Sequence, residues 1–83
     1  MPWRIVARMA QKPTYAQLEL AERHVAEGAQ HLARQHALIA ELARDGHDTT
    51  TALELLRTFE QAQANHIENR DRIRAEMSTR DDE

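Results

Sequence analysis

The sequence predicts an all-α protein: an antiparallel two-helix hairpin that pairs with a second copy into a four-helix bundle. Three observations carry this expectation. The one clear break, Asp45-Gly46-His47-Asp48, divides two long segments that otherwise read as uninterrupted helix. The composition, 41% apolar and 30% charged with no cysteine, is that of a helix-former without a disulfide framework or thiolate metal site. Apolar residues recur at steps of three and four on both sides of the break.

Residues 1–13 precede the first helix-start signal and form an N-terminal extension. Thr14-Tyr15-Ala16-Gln17 has the capping-box pattern, in which the threonine hydroxyl and the glutamine side chain each satisfy the other's free N–H. Helix 1 is therefore expected over about 14–45, closed by Gly46, which can adopt the left-handed conformation a helix C-terminus favours. Helix 2 is expected over about 48–77, starting at Asp48 or within Thr49-Thr50-Thr51. Asp48 is the best cap by residue type, with Thr51 and Glu54 as a rival box. Residues 78–83 read as a frayed acidic tail. A chain of 83 residues divides into no more than this extension, one hairpin and the tail.

A short loop forces the helices antiparallel. On helix 1 the inward face reads Leu18, Ala21, Val25, Ala29, Leu32, His36, Ile39 and Ala43. On helix 2 it reads Ala52, Leu56, Phe59, Gln63, His66, Arg70, Ile73 and Met77. Folding about residue 47 pairs Ile39 with Leu56, His36 with Phe59, Leu32 with Gln63, Ala29 with His66 and Val25 with Arg70. Glu22 then lies within reach of Arg70 or Arg74 for a cross-helix ion pair. The intrachain core is accordingly expected to comprise Leu18, Val25, Leu32, His36, Ile39, Leu56, Phe59, His66 and Ile73.

Helix 1 carries a second stripe, Leu20, His24, His31, Leu38 and Leu42, about 100° from the first. A helix with one neighbour has no use for it, so this stripe is the expected homodimer interface. Gly28 disfavours helix by about 1 kcal/mol relative to alanine, which makes close packing its expected reason.

Five histidines invite a metal reading. His24 and His31 share a face with Glu27 between them, and these three are the candidate ligands. The residues three before each histidine are Ala21, Gly28, Ala33, Arg44 and Gln63, so the Glu-x-x-His motif of bundle metal sites is missing, as is His-Glu-x-x-His. Histidines that fill space with a polar tip are the simpler account, and no cofactor is expected. His36 and His66, placed on the core faces, would couple stability to pH if buried neutral. The sequence holds no cysteine nucleophile, no glycine-rich phosphate loop, and no serine or threonine placed beside a base. No catalytic residues are assigned and the protein is not expected to be an enzyme.

Arg4, Arg8 and Lys12 concentrate positive charge in the extension, so residues 14–83 carry a negative balance larger than the chain's net −3. That disfavours a nucleic-acid phosphate backbone as ligand. Trp3, Arg4, Ile5 and Arg8 combine cationic and bulky apolar groups and are the candidate partner-docking residues, with an extension that folds back on the hairpin or stays disordered as the simpler account. No apolar run reaches membrane-span length and no signal-peptide core is present, which points to a cytoplasmic protein.

Ala21-Glu22-Arg23-His24-Val25-Ala26-Glu27-Gly28, Arg34-Gln35-His36-Ala37-Leu38-Ile39-Ala40-Glu41-Leu42, Asp45-Gly46-His47-Asp48-Thr49 and Leu55-Leu56-Arg57-Thr58-Phe59-Glu60, running on to Arg70-Asp71-Arg72, carry a resemblance. Over residues 21–77 the chain resembles the short helical-hairpin proteins of rhizobia and other alphaproteobacteria, a group without an established activity. In architecture alone it is also similar to plasmid RNA-binding hairpin dimers. The expected function is a small non-enzymatic, homo-oligomeric module for protein interaction or regulation, its partner an unknown protein. The alternative is a nucleic-acid-binding hairpin dimer using Arg4, Arg8 and Lys12. A third reading is a metal- or pH-sensing bundle acting through its histidines.

Overall fold

A computed structural model describes residues 13–81, the last three of them by backbone alone. It holds two helices, α1 (Tyr15–Arg44) and α2 (Thr50–Asp81), packed against each other as a hairpin, and no strand among the described residues. The candidate docking residues Trp3, Arg4, Ile5 and Arg8 lie outside the described residues.

Local chemistry accounts for each end of α1. At Thr14 the backbone is extended (φ −101°, ψ 165°), and the capping box forms in full. Gln17 N–H donates to Thr14 Oγ1 at 3.2 Å and Thr14 N–H donates to Gln17 Oε1 at 2.9 Å. At the other end Gly46 takes φ +77°. Gly46 N–H donates to the Ala43 carbonyl (3.1 Å) and His47 N–H to the Leu42 carbonyl (2.8 Å). These are the two bonds of a Schellman closure, and the left-handed residue they require is the glycine.

Helix α2 starts at Thr50, within the expected Thr49-Thr50-Thr51. The Thr49 carbonyl accepts the first helical bond, from Leu53 N–H at 2.9 Å, so Thr49 holds the cap position. Asp48 Oδ1 instead accepts from Thr50 N–H (2.9 Å) and Thr50 Oγ1 (2.7 Å), satisfying the first free N–H from one residue upstream. Thr51 already lies inside the helix, so the rival Thr51–Glu54 box does not set the start. The C-terminus corrects the expected tail: α2 runs to Asp81 rather than 77. Residues 78–81 contain no glycine or proline, and Met77 is half-buried one turn before the end, so nothing stops propagation there.

The seam between the helices follows an unbroken three-four repeat. On α1 it is Leu18, Ala21, Val25, Gly28, Leu32, Gln35, Ile39 and Leu42, and each of these is buried or half-buried. On α2 it is Ala52, Leu56, Phe59, Gln63, His66, Arg70, Ile73 and Met77, again all buried or half-buried. The hairpin is thus a short antiparallel coiled coil. The expected α1 face is corrected at three steps: Ala29, His36 and Ala43 are exposed, and Gly28, Gln35 and Leu42 take their places. His36 therefore belongs to the surface. Burial has followed the helical period even where that meant enclosing a glutamine.

Gln35 and Gln63 are the buried polar residues of the seam, and each reaches across it to the other helix's backbone. Gln35 Nε2 donates to the Ala52 carbonyl at 2.8 Å, and Gln63 Nε2 donates to the Val25 carbonyl at 2.9 Å. Arg70 keeps its stem in the seam and turns its guanidinium out to Asp71 at 3.0 Å.

The pairing is shifted relative to the expected register. Phe59 meets His31 rather than His36, and His66 meets His24 rather than Ala29, five positions earlier in both cases. The loop explains the shift. Residues 47–49 are not helical, so the connection does not advance at the helical rise of about 1.5 Å per residue on which folding about residue 47 rests. Arg74 still reaches Glu22 at 2.8 Å, because a long helical side chain leans back toward its own N-terminus.

Candidate functional site: the histidine flank of the hairpin

An antiparallel coiled coil has two flanks, formed by the positions beside the seam. On one, the residues immediately preceding seam positions are His24, His31 and Leu38 from α1 and Leu55, Ala62 and Asn69 from α2. The other holds the Glu22–Arg74 pair, both partners about half exposed, together with His36, Leu53 and Ile67. The histidine flank carries no acidic residue between His24 and Leu38 except the outward-pointing Glu27, which is exposed.

Four of the five residues expected at an oligomer interface lie on or beside this flank. Leu20 and Leu38 are 48% and 43% exposed, His31 is exposed and His24 half-buried. Leu42 does not join them: it is half-buried as the last seam position of α1. Leu55, 44% exposed, completes the patch from α2, a contribution that sequence reasoning missed. Its signal was present, since Leu55 precedes the seam residue Leu56 as Leu38 precedes Ile39.

Among the described residues, depressions open on this flank. One, of about 310 Å³, is lined by His31, Arg34, Gln35, Leu38 and Phe59. Another, of about 690 Å³, lies near the open end of the hairpin, with Leu20, Ala21 and Ile73 as its apolar walls and Gln17, His24, Asn69, Arg72 and Glu76 among its polar ones.

Both flank histidines lean onto seam rings. His31 lies 5.9 Å from Phe59 between ring centres, and His24 lies 5.4 Å from His66, each pair tilted by 43°. The candidate ligands His24, Glu27 and His31 are not assembled, because the two histidines engage different partners across the seam. Among the described residues no three histidine, aspartate or glutamate side chains group as metal ligands would. Of the expected core, Leu56 is buried, while Leu18, Val25, Leu32, Ile39, Phe59, His66 and Ile73 are half-buried.

The chain matches no family model, no curated protein and no solved structure. Among the described residues no helix is long and apolar enough to cross a membrane.

Proposed function

We propose that this protein is a small, non-enzymatic, homo-oligomeric interaction module whose hairpin pairs with a second copy along the histidine flank, making a four-helix bundle that presents its outer helix faces to a protein partner. The thinness of the seam carries this reading. Among the described residues only Ala21, Ala52 and Leu56 are buried apolar side chains, and no side chain is fully enclosed. A hairpin with so small an interior needs further apolar burial to reach ordinary domain stability. Leu20, Leu38 and Leu55 offer it on one flank, each contributing about 1.5–3 kcal/mol if fully buried. The flank suits a like surface better than a charged one, since its central stretch is apolar and imidazole-rich.

Sedimentation at micromolar concentration, paired with far-UV circular dichroism, tests the proposal. Wild type is expected to sediment as a dimer. Leu38→Glu is expected to shift it toward monomer and to lower helicity together, because assembly and folding are linked. A stable helical monomer that is indifferent to Leu38→Glu overturns the reading.

A further inference from the structure

We propose that His24 and His66 form a two-imidazole chelate for a divalent transition-metal ion, spanning the two helices of one hairpin. The geometry is that of a shared ligand. With about 2.0–2.1 Å from zinc to each imidazole nitrogen and a tetrahedral angle between them, two ring centres bound to one ion sit roughly 5.2 Å apart. Here they are 5.4 Å apart. The final torsion of a histidine is soft, which leaves each ring free to turn a nitrogen toward the space between them.

The surroundings leave the ion a route and room. His24 lines the 690 Å³ cleft, from which water can fill the remaining coordination positions. The two arginines that follow His66 most closely in sequence are already engaged. Arg70 is paired with Asp71 at 3.0 Å, and Arg72 donates to Asn69 Oδ1 at 2.7 Å. Two imidazoles without a carboxylate select zinc, nickel or copper over magnesium or calcium. Because the ligands come from opposite helices, the ion ties α1 to α2 at a layer where the seam holds imidazole in place of aliphatic side chains. Both ligands come from one hairpin, so one ion per chain is expected whether the flank is open or paired with a second copy, which would enclose the cleft's water with the ion.

Tag-free protein is titrated with zinc, nickel and copper chlorides by calorimetry and thermal melting. The expected result is a single ion per chain and a rise in melting temperature reversed by EDTA. His24→Gln and His66→Gln should each weaken binding by roughly tenfold or more, since the second bond is intramolecular. His31→Gln and His47→Gln should bind as wild type does. Copper paramagnetic resonance on the unaltered protein reads the ligand set without any variant, and two coordinated nitrogens are expected. No binding of any of the three metals, unchanged affinity in His24→Gln or His66→Gln, or a single nitrogen on copper would overturn the assignment.

Discussion

The side-chain amide of Gln63 lies directly against the backbone of α1 at Gly28. Gln63 Nε2 donates to the Val25 carbonyl at 2.9 Å, and Gln63 Oε1 occupies the place where a Cβ on residue 28 would stand. That oxygen is buried and receives no hydrogen bond. The glycine and the glutamine are therefore one device: the missing side chain makes the space, and the amide uses it to reach the opposite backbone.

Alanine at position 28 should accordingly destabilise the hairpin although it favours helix. The propensity gain is about 1 kcal/mol. Against it stands the displacement of a buried amide from its acceptor, on the order of 1–3 kcal/mol. In a Gln63→Ala background the collision is gone, and Gly28→Ala should become stabilising. Chemical denaturation of the four proteins in this cycle reads the coupling. Equal effects of Gly28→Ala in both backgrounds would show that the two residues act independently.

Gln35 makes the matching bond from the other helix, to the Ala52 carbonyl, and three substitutions should rank in order. Gln35→Leu should change stability by less than about 1 kcal/mol, because that carbonyl keeps its helical partner and the leucine fills the space. Gln35→Ala should cost more, through the void it leaves. Gln35→Glu should cost most, on the order of 3 kcal/mol at neutral pH, since an unpaired carboxylate would face a carbonyl oxygen inside the seam. Its deficit should shrink from pH 7 to pH 4, where the protonated acid can donate as the amide does. A Gln35→Glu protein as stable as wild type at pH 7 would mean that this seam position admits water.

Much of the fold was legible because local chemistry sets it. Thr14 with Gln17, Gly46 with the carbonyls behind it, and the long leaning side chains of Glu22 and Arg74 each depend on a few neighbouring residues. What was not legible depends on how the helices meet. A residue-by-residue choice between Gly28 and Ala29, or between Gln35 and His36, favours the more apolar or bulkier neighbour. The strict repeat favours the glycine and the glutamine. Register was hidden for a related reason: it depends on the path of the non-helical residues 47–49, and no pattern in the helices encodes it. The meeting of His24 with His66 follows from that register, so it too could not be read from spacing along either helix.

Acid should weaken the start of α2 through Asp48. Its carboxyl is held below the usual aspartate range, first by the Thr50 hydroxyl and then by the Thr50 N–H. A group whose pKa is depressed in the fold stabilises the fold above its unfolded value, about 3.9, and loses that contribution as pH falls through the folded one. Melting temperature should therefore drop on acidification below about pH 4 by more in wild type than in Asp48→Asn, which keeps an acceptor oxygen without a titrating group. Identical acid profiles for the two proteins would mean that the Asp48–Thr50 bonds contribute nothing to stability.

The register itself can be tested by thiol chemistry, because the chain contains no cysteine of its own. Phe59 faces His31, whose ring centre is 5.9 Å away. The alternative partner, His36, lies five residues along α1, or about 7.5 Å along the helix axis. A disulfide needs Cβ atoms within about 3.5–4.5 Å, so a displacement of that size separates a pair that closes from one that must wait for the helices to slide. His31→Cys with Phe59→Cys should oxidise faster than His36→Cys with Phe59→Cys under the same mild oxidant, at protein dilution that suppresses links between chains. The two pairs share one helix position, so differences in thiol exposure arise only on α1, and alkylation rates of the single variants correct for them. If the His36 pair closes first after that correction, the helices meet five residues from where His31 and His24 place them, and the seam assigned to Gly28 and Gln35 falls with it.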